Sequence, residues 1–171
     1  VYIMKVKKLL ALVLSALIAV TMLAACGGGG GGGNSGGGGS VSVISLDYGE
    51  INKILKAEGY NKTVSASSNL LTGVKEAAAM LSKHNFNEVT SSDLSSSVAT
   101  MAKSHMTTSG PVGFAKNRVE VLGGRYNEAV ASIASSYMSQ GLDATYTAAA
   151  VEFTSADGVK CYLYVVHAAY N

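Results

Sequence analysis

Tryptophan is absent from the 171 residues, proline occurs once, cysteine twice, and only 14% of the side chains are charged. No GxSxG, HExxH, P-loop or CxxC spacing occurs, so the usual sequence marks of serine hydrolases, zinc proteases, nucleotide hydrolases and dithiol redox proteins are missing. An excess of positive charge is missing too. Residues 41–171 carry ten Lys and Arg against eleven Asp and Glu, a net charge of −1, and the overall +2 comes from Lys5, Lys7 and Lys8. A basic nucleic-acid surface is therefore not indicated. No repeat of 20–50 residues is visible.

What is abundant is unevenly placed. The long apolar run occupies residues 9–26, and residues 27–40 hold eleven of the 20 glycines. Three lysines followed by an apolar stretch form the charged and hydrophobic regions of a secretory signal. Val1-Tyr2-Ile3 ahead of Met4 puts the expected start of translation at Met4. The run closes with Leu23-Ala24-Ala25-Cys26, which resembles the lipobox of bacterial lipoproteins. Small residues admit a peptidase before Cys26, whose thiol would receive diacylglycerol. A transmembrane helix needs roughly 20 apolar residues, slightly more than are present. The expected organisation is thus a signal peptide over residues 1–25, a lipidated Cys26 with a Gly-rich tether over 26–40, and a domain over 41–171. The tether has no side chain able to pack and a mean reach of about 20 Å. With Cys26 lipidated, Cys161 is the only remaining thiol and no intramolecular disulfide can form. Cys161 reads as a small buried hydrophobe.

Within the domain, residues 41–46 alternate weakly and read as a short strand or as continued linker. Ile51, Ile54 and Leu55 predict a helix over residues 47–58, stopped by Gly59. Leu70, Leu71, Val74, Ala77, Ala78 and Leu81 form the stripe of a second, over 69–84. Thr90-Ser91-Ser92-Asp93 suggests a capping box opening a third, which carries Leu94, Val98, Met101, Ala102 and His105 on or beside its buried face. Residues 107–111 are turn chemistry. A fourth helix is expected over 125–140, with Tyr126, Val130, Ile133, Ala134 and Tyr137 inward. Residues 145–154 and 159–168, rich in Tyr, Val, Thr and Phe and separated by Ser155-Ala156-Asp157-Gly158, predict a β-hairpin with both faces covered. The fold class is α+β, a sandwich of helices and an antiparallel sheet.

The order of features from residue 73 onward resembles the CAP superfamily, also called SCP-like or cysteine-rich secretory/pathogenesis-related type 1 domains. It is carried by residues 73–84 (GVKEAAAMLSKH), residues 93–105 (DLSSSVATMAKSH), Ser109-Gly110, Phe114-Ala115, Arg118, Gly123-Gly124, Asn127-Glu128-Ala129-Val130-Ala131 and the closing hairpin. The core of the match spans 70–171. The resemblance implies a three-layer α-β-α sandwich and a cleft with two His and two Glu that binds a divalent metal in some members. His105 matches the first His and Glu128 the first Glu. Between Ala129 and Phe153 no His occurs, and the acids are Asp143, near a turn, and Glu152, inside a strand. Two ligands fall short of the three or four that a tight transition-metal site needs. His105 and Glu128 are instead expected to join two helix ends through a charge-assisted hydrogen bond, with metal contact or acid–base catalysis as the lesser readings. His84 is expected to be a solvated helix cap, and His167 a half-buried histidine on an edge strand. The tyrosines are assigned to packing, with lining of a ligand groove as the alternative.

The expected function is that of a lipid-anchored extracytoplasmic binding or interaction module with an incomplete tetrad. Alternatives are a divergent metal-dependent hydrolase and a carrier of apolar ligands. No cofactor is expected, a divalent metal being the minor alternative. The expected partners are the membrane, through the lipid on Cys26, and an extracellular ligand.

Overall fold

The computed structural model describes residues 40–171. The expected signal segment, Cys26 and all of the tether except Ser40 lie outside the described residues. The element order is β1 (Ser42–Val43), α1 (Tyr48–Ala57), β2 (Val64–Ala66), α2 (Ser68–Leu81), α3 (Phe86–Thr90), a 3-10 turn (Ser92–Leu94), α4 (Ser95–Lys103), β3 (Val112–Arg118), α5 (Val119–Leu122), α6 (Tyr126–Met138), β4 (Ala144–Thr154) and β5 (Lys160–Tyr170).

Local chemistry explains the helix starts. Asp47 caps α1, its carboxylate accepting from the Glu50 N–H at 2.9 Å. Ser67 caps α2 by accepting from the Leu70 N–H at 3.2 Å. The box expected at Thr90 and Asp93 is not made. Thr90 Oγ1 turns back to the carbonyls of Phe86 and Asn87, and α4 starts at Ser95 after the 3-10 turn. The reciprocal capping bond falls one helix earlier, where the Glu88 carboxylate accepts from the Asn85 N–H at 2.8 Å at the head of α3.

The sheet order is β1-β4-β5-β3, with β2 also on β4. β4 and β5 form the expected hairpin, antiparallel from Ala144↔Tyr170 to Thr154↔Lys160. β3 runs antiparallel to β5 from Val112↔His167 to Arg118↔Cys161. The sheet is not wholly antiparallel, because β2 pairs parallel with β4 at Val64↔Tyr146 through Ala66↔Ala148. β1 pairs with the same edge of β4, Ser42↔Glu152 and Val43↔Val151, so residues 41–68 supply two strands of the sheet as well as α1.

Strand alternation sends side chains to two cores. Tyr162, Tyr164, Val166 and Ala168 of β5, with Tyr146, Ala148 and Ala150 of β4, pack against Ile51 and Leu55 of α1 and Val130, Ala131 and Ala134 of α6. Cys161, Leu163 and Val165, with Ala149, Val151 and Phe153, pack against Leu70, Val74, Ala77 and Leu81 of α2, Phe86 and Val89 of α3, and Val98 and Ala102 of α4. The protein is therefore an α+β fold with helices on both faces of one sheet. Gly73 permits the closest helix approach. A Cβ there would lie 2.5 Å from the carbonyl oxygens of both Met101 and Ala102.

Candidate functional site

The structure does not pair the two residues singled out by the sequence. His105 lies beyond the end of α4, exposed, with Nε2 2.8 Å from Oε1 of Glu76 on α2. Ser104 Oγ donates to the other oxygen of the same carboxylate at 3.3 Å. The His105 hydrogen bond is the main reason that the Glu76 carboxyl sits below its ordinary pKa. Glu128 is exposed in the first turn of α6, on the opposite face of the sheet. The helix-joining bond expected between His105 and Glu128 is thus made by His105 and Glu76, and it ties α2 to α4. Glu76 stands one turn past Gly73 and outside the apolar stripe of α2, which is the sequence signal that could have located it.

Asn127, the neighbour of Glu128, makes a different joint. Asn127 Oδ1 accepts from the Asp47 N–H at 3.1 Å, and its Nδ2 donates to Glu50 at 2.6 Å, locking α6 to the head of α1.

The other histidines divide. His84 is partly exposed, its ring 3.8 Å from Glu88. His167 is not at an edge and not half-buried. It is fully buried on β5, between β4 and β3, and neither ring nitrogen has a hydrogen-bond partner among the described residues. Burial, reinforced by the charge of Lys103, pushes its pKa below the ordinary value and holds the ring neutral. Thr147, its register partner on β4, also carries an unpartnered buried hydroxyl. Cys161 is buried, and desolvation pushes its thiol up to about 12, so it presents no thiolate nucleophile.

A groove that the sequence reading did not anticipate lies between β3 and the link from α3 to α4. It has a volume of about 510 Å³ and is lined by Thr90, Ser91, Ser92, Ser95, Phe114, Ala115 and Lys116. The hydroxyl-rich run read as a helix cap forms one wall. β3 forms the other, and its alternation puts Phe114 and Lys116 on the α2–α4 side of the sheet. Lys116 is only 8% exposed. Its Nζ donates to the Ser91 carbonyl at 3.4 Å and stands 5.8 Å from the centre of the Phe114 ring. Burial lowers its pKa from the ordinary lysine value. Arg118, two residues on, stacks over Phe86 at 5.0 Å.

The groove's lining contains no histidine and no carboxylate. Lys116 addresses a main-chain oxygen, while the Ser91 hydroxyl donates to the Glu88 carbonyl at 2.9 Å, so the pair does not form a serine–lysine dyad. Two smaller clefts exist. One of about 330 Å³ is mostly apolar, lined among others by Val43, Ile44, Leu46, Ala66, Leu71 and Ala149. Another, of about 340 Å³, lies around the Lys62–Asp143 ion pair. Among the described residues no three His, Cys, Asp or Glu cluster as metal ligands would, and no helix is long and apolar enough to cross a membrane.

Comparison with known proteins returned no match to a family model, a curated protein or a solved structure.

Proposed function

We propose that the chain is a lipid-anchored extracytoplasmic binding domain on a CAP-like α-β-α sandwich, and that the groove beside β3 is its working site. The observation that carries this reading is the groove's lining, which offers hydroxyls, an aromatic ring and one ammonium but no histidine and no carboxylate. The anchor is supported by the three lysines, the apolar run and Leu23-Ala24-Ala25-Cys26. The CAP-like architecture is supported by the order of elements and by the helices on both faces of the sheet. The separation of His105 from Glu128 favours binding over a metal-dependent hydrolase that would use both.

Two measurements on the full chain test the reading. Mass spectrometry of the mature protein should find diacylglycerol on Cys26, and Cys26→Ser should release the protein from the membrane fraction. A panel of peptide, ester and glycan substrates should show no turnover that His105→Ala removes. Such turnover would reject the binding reading in favour of an enzyme. A second reading, carriage of an apolar ligand, is favoured by the apolar cleft of about 330 Å³ near β1. It predicts uptake of a fluorescent fatty acid that Ala66→Phe blocks.

A further inference from the structure

One rung of the β4–β5 hairpin departs from its neighbours. On the face covered by α2, α3 and α4, the rungs Phe153↔Cys161, Val151↔Leu163 and Ala149↔Val165 are apolar and buried on both strands. The next rung on this face is Thr147↔His167. The one after it, Thr145↔Ala169, is exposed at Thr145 and half-buried at Ala169, and Thr145 Oγ1 lies 2.9 Å from Oδ1 of Asn171. Thr147 and His167 therefore stand where the apolar part of this core ends.

Their polar atoms are not satisfied by the surrounding protein. His167 Nδ1 and Nε2 and Thr147 Oγ1 are all buried, and none has a hydrogen-bond partner among the described residues. Across β5 the register partner of His167 is Val112 of β3, which brings no polar side chain. Across β4 the register partner of Thr147 is the exposed Ser65 of β2. A neutral imidazole carries one N–H donor and one bare acceptor nitrogen on different sides of the ring, and a hydroxyl both donates and accepts. Leaving such groups unmade inside a core is costly.

The space and the charge narrow what can settle them. Side chains directly opposite on paired strands have Cβ atoms about 5 Å apart, room for a very small bridging species only. Lys103 repels a cation, and an anion would need a charged ring, which burial and Lys103 both oppose. Water is small, uncharged, and both donor and acceptor.

We infer that the Thr147–His167 rung is an internal water site, in which one ordered water bridges the Thr147 hydroxyl and a ring nitrogen and another serves the opposite ring nitrogen. Thr147 is itself only half-buried, so the waters enter from its side and from the Thr145↔Ala169 rung. This inference is independent of the binding reading above.

The test uses the full mature chain in detergent micelles. Oxygen-17 relaxation dispersion registers water held inside a protein and is blind to hydroxyl protons. Thr147→Val keeps the shape of the side chain without its hydroxyl, and His167→Phe keeps a ring without its nitrogens. Each is expected to lower the dispersion amplitude, His167→Phe by more, whereas Thr147→Ser keeps the hydroxyl and should retain it. Thr147→Val is also expected to lower the urea midpoint, because the bridging water loses a partner. If His167→Phe fails to fold, the isosteric Thr147→Val decides. The inference is overturned if a folded variant of either kind leaves the amplitude unchanged, or if Thr147→Ser loses as much as Thr147→Val. It is overturned equally if Thr147→Val raises the urea midpoint, the result for a dry orphan hydroxyl replaced by a methyl group.

Discussion

The two faces of the sheet are built from different chemistry. The face under α1 and α6 is rich in tyrosine, and three of the hydroxyls there have partners. Tyr48 donates to the Ala148 carbonyl at 2.8 Å, Tyr146 is within 3.4 Å of the Leu142 carbonyl, and Asn117 bonds the Tyr164 hydroxyl. Tyr126 and Tyr162 meet edge to face with centroids 6.2 Å apart. The face under α2, α3 and α4 is aliphatic, yet it holds His167 and Thr147 without partners and Lys116 almost out of water. The first face is built largely from groups that bring their own hydrogen-bonding handles, Glu58 Oε2 at the end of α1 being an exception. The second combines an apolar core with polar groups that are costly to bury, and proteins tolerate that combination mainly where it serves function. The groove lies on the second face.

Breaking the aliphatic core should have the largest effect. Phe153→Ala removes a side chain 1% exposed and should cost about 3–5 kcal/mol in urea unfolding. Next come the two glycines at which helices press closely. Gly73→Ala should destabilise by about 1–3 kcal/mol, because the new methyl meets two backbone oxygens that cannot step aside. Gly113→Ala, on the tyrosine face, should cost less, because its Cβ would meet Ile133 Cγ2 and the Tyr137 ring at 2.7 Å, both side-chain atoms able to shift. Equal losses at the two positions would erase the proposed difference in rigidity.

The pH dependence sharpens the comparison. His167 has a folded pKa below its unfolded value near 6.5, so the unfolded chain binds the proton more readily. Its contribution to stability is complete above about pH 6.5 and declines as the pH falls from there toward the folded pKa. Denaturation curves at pH 7.5 and 5 should show this loss, and His167→Leu should flatten it. The smallest effect is expected at the surface. Glu76→Gln breaks an exposed pair with His105, and thermal melts should show the least change of the series, shrinking further in high salt.

Long periodic elements were legible in the sequence, and short or edge elements were not. α1, α2, α6 and the β4–β5 hairpin carry full apolar stripes or alternation, and their positions follow from those alone. β2 has three residues, and only its parallel seat on β4 makes it a strand. β3 contains Gly113, Lys116 and Asn117 within seven residues, a pattern that reads as loop until β5 pairs with it. The same long-range dependence hid the site. His105 was expected on or beside the buried face of its helix but lies exposed beyond it, and its partner Glu76 is set by the crossing of α2 and α4 at Gly73. Lys116 entered the sequence analysis only through the net-charge count, and nothing local announces that β3 turns it inward.

β1 has a mechanical consequence. Tension entering the domain at Val41 would first meet a ladder of two residue pairs with β4, which loads only a few hydrogen bonds and peels at low force. Behind it stands α1, held to α6 through Asn127, and then the eleven-residue β4–β5 ladder. A pull on the N-terminal side would thus be absorbed by the release of β1, freeing a few residues while the groove at the opposite edge of the sheet keeps its shape.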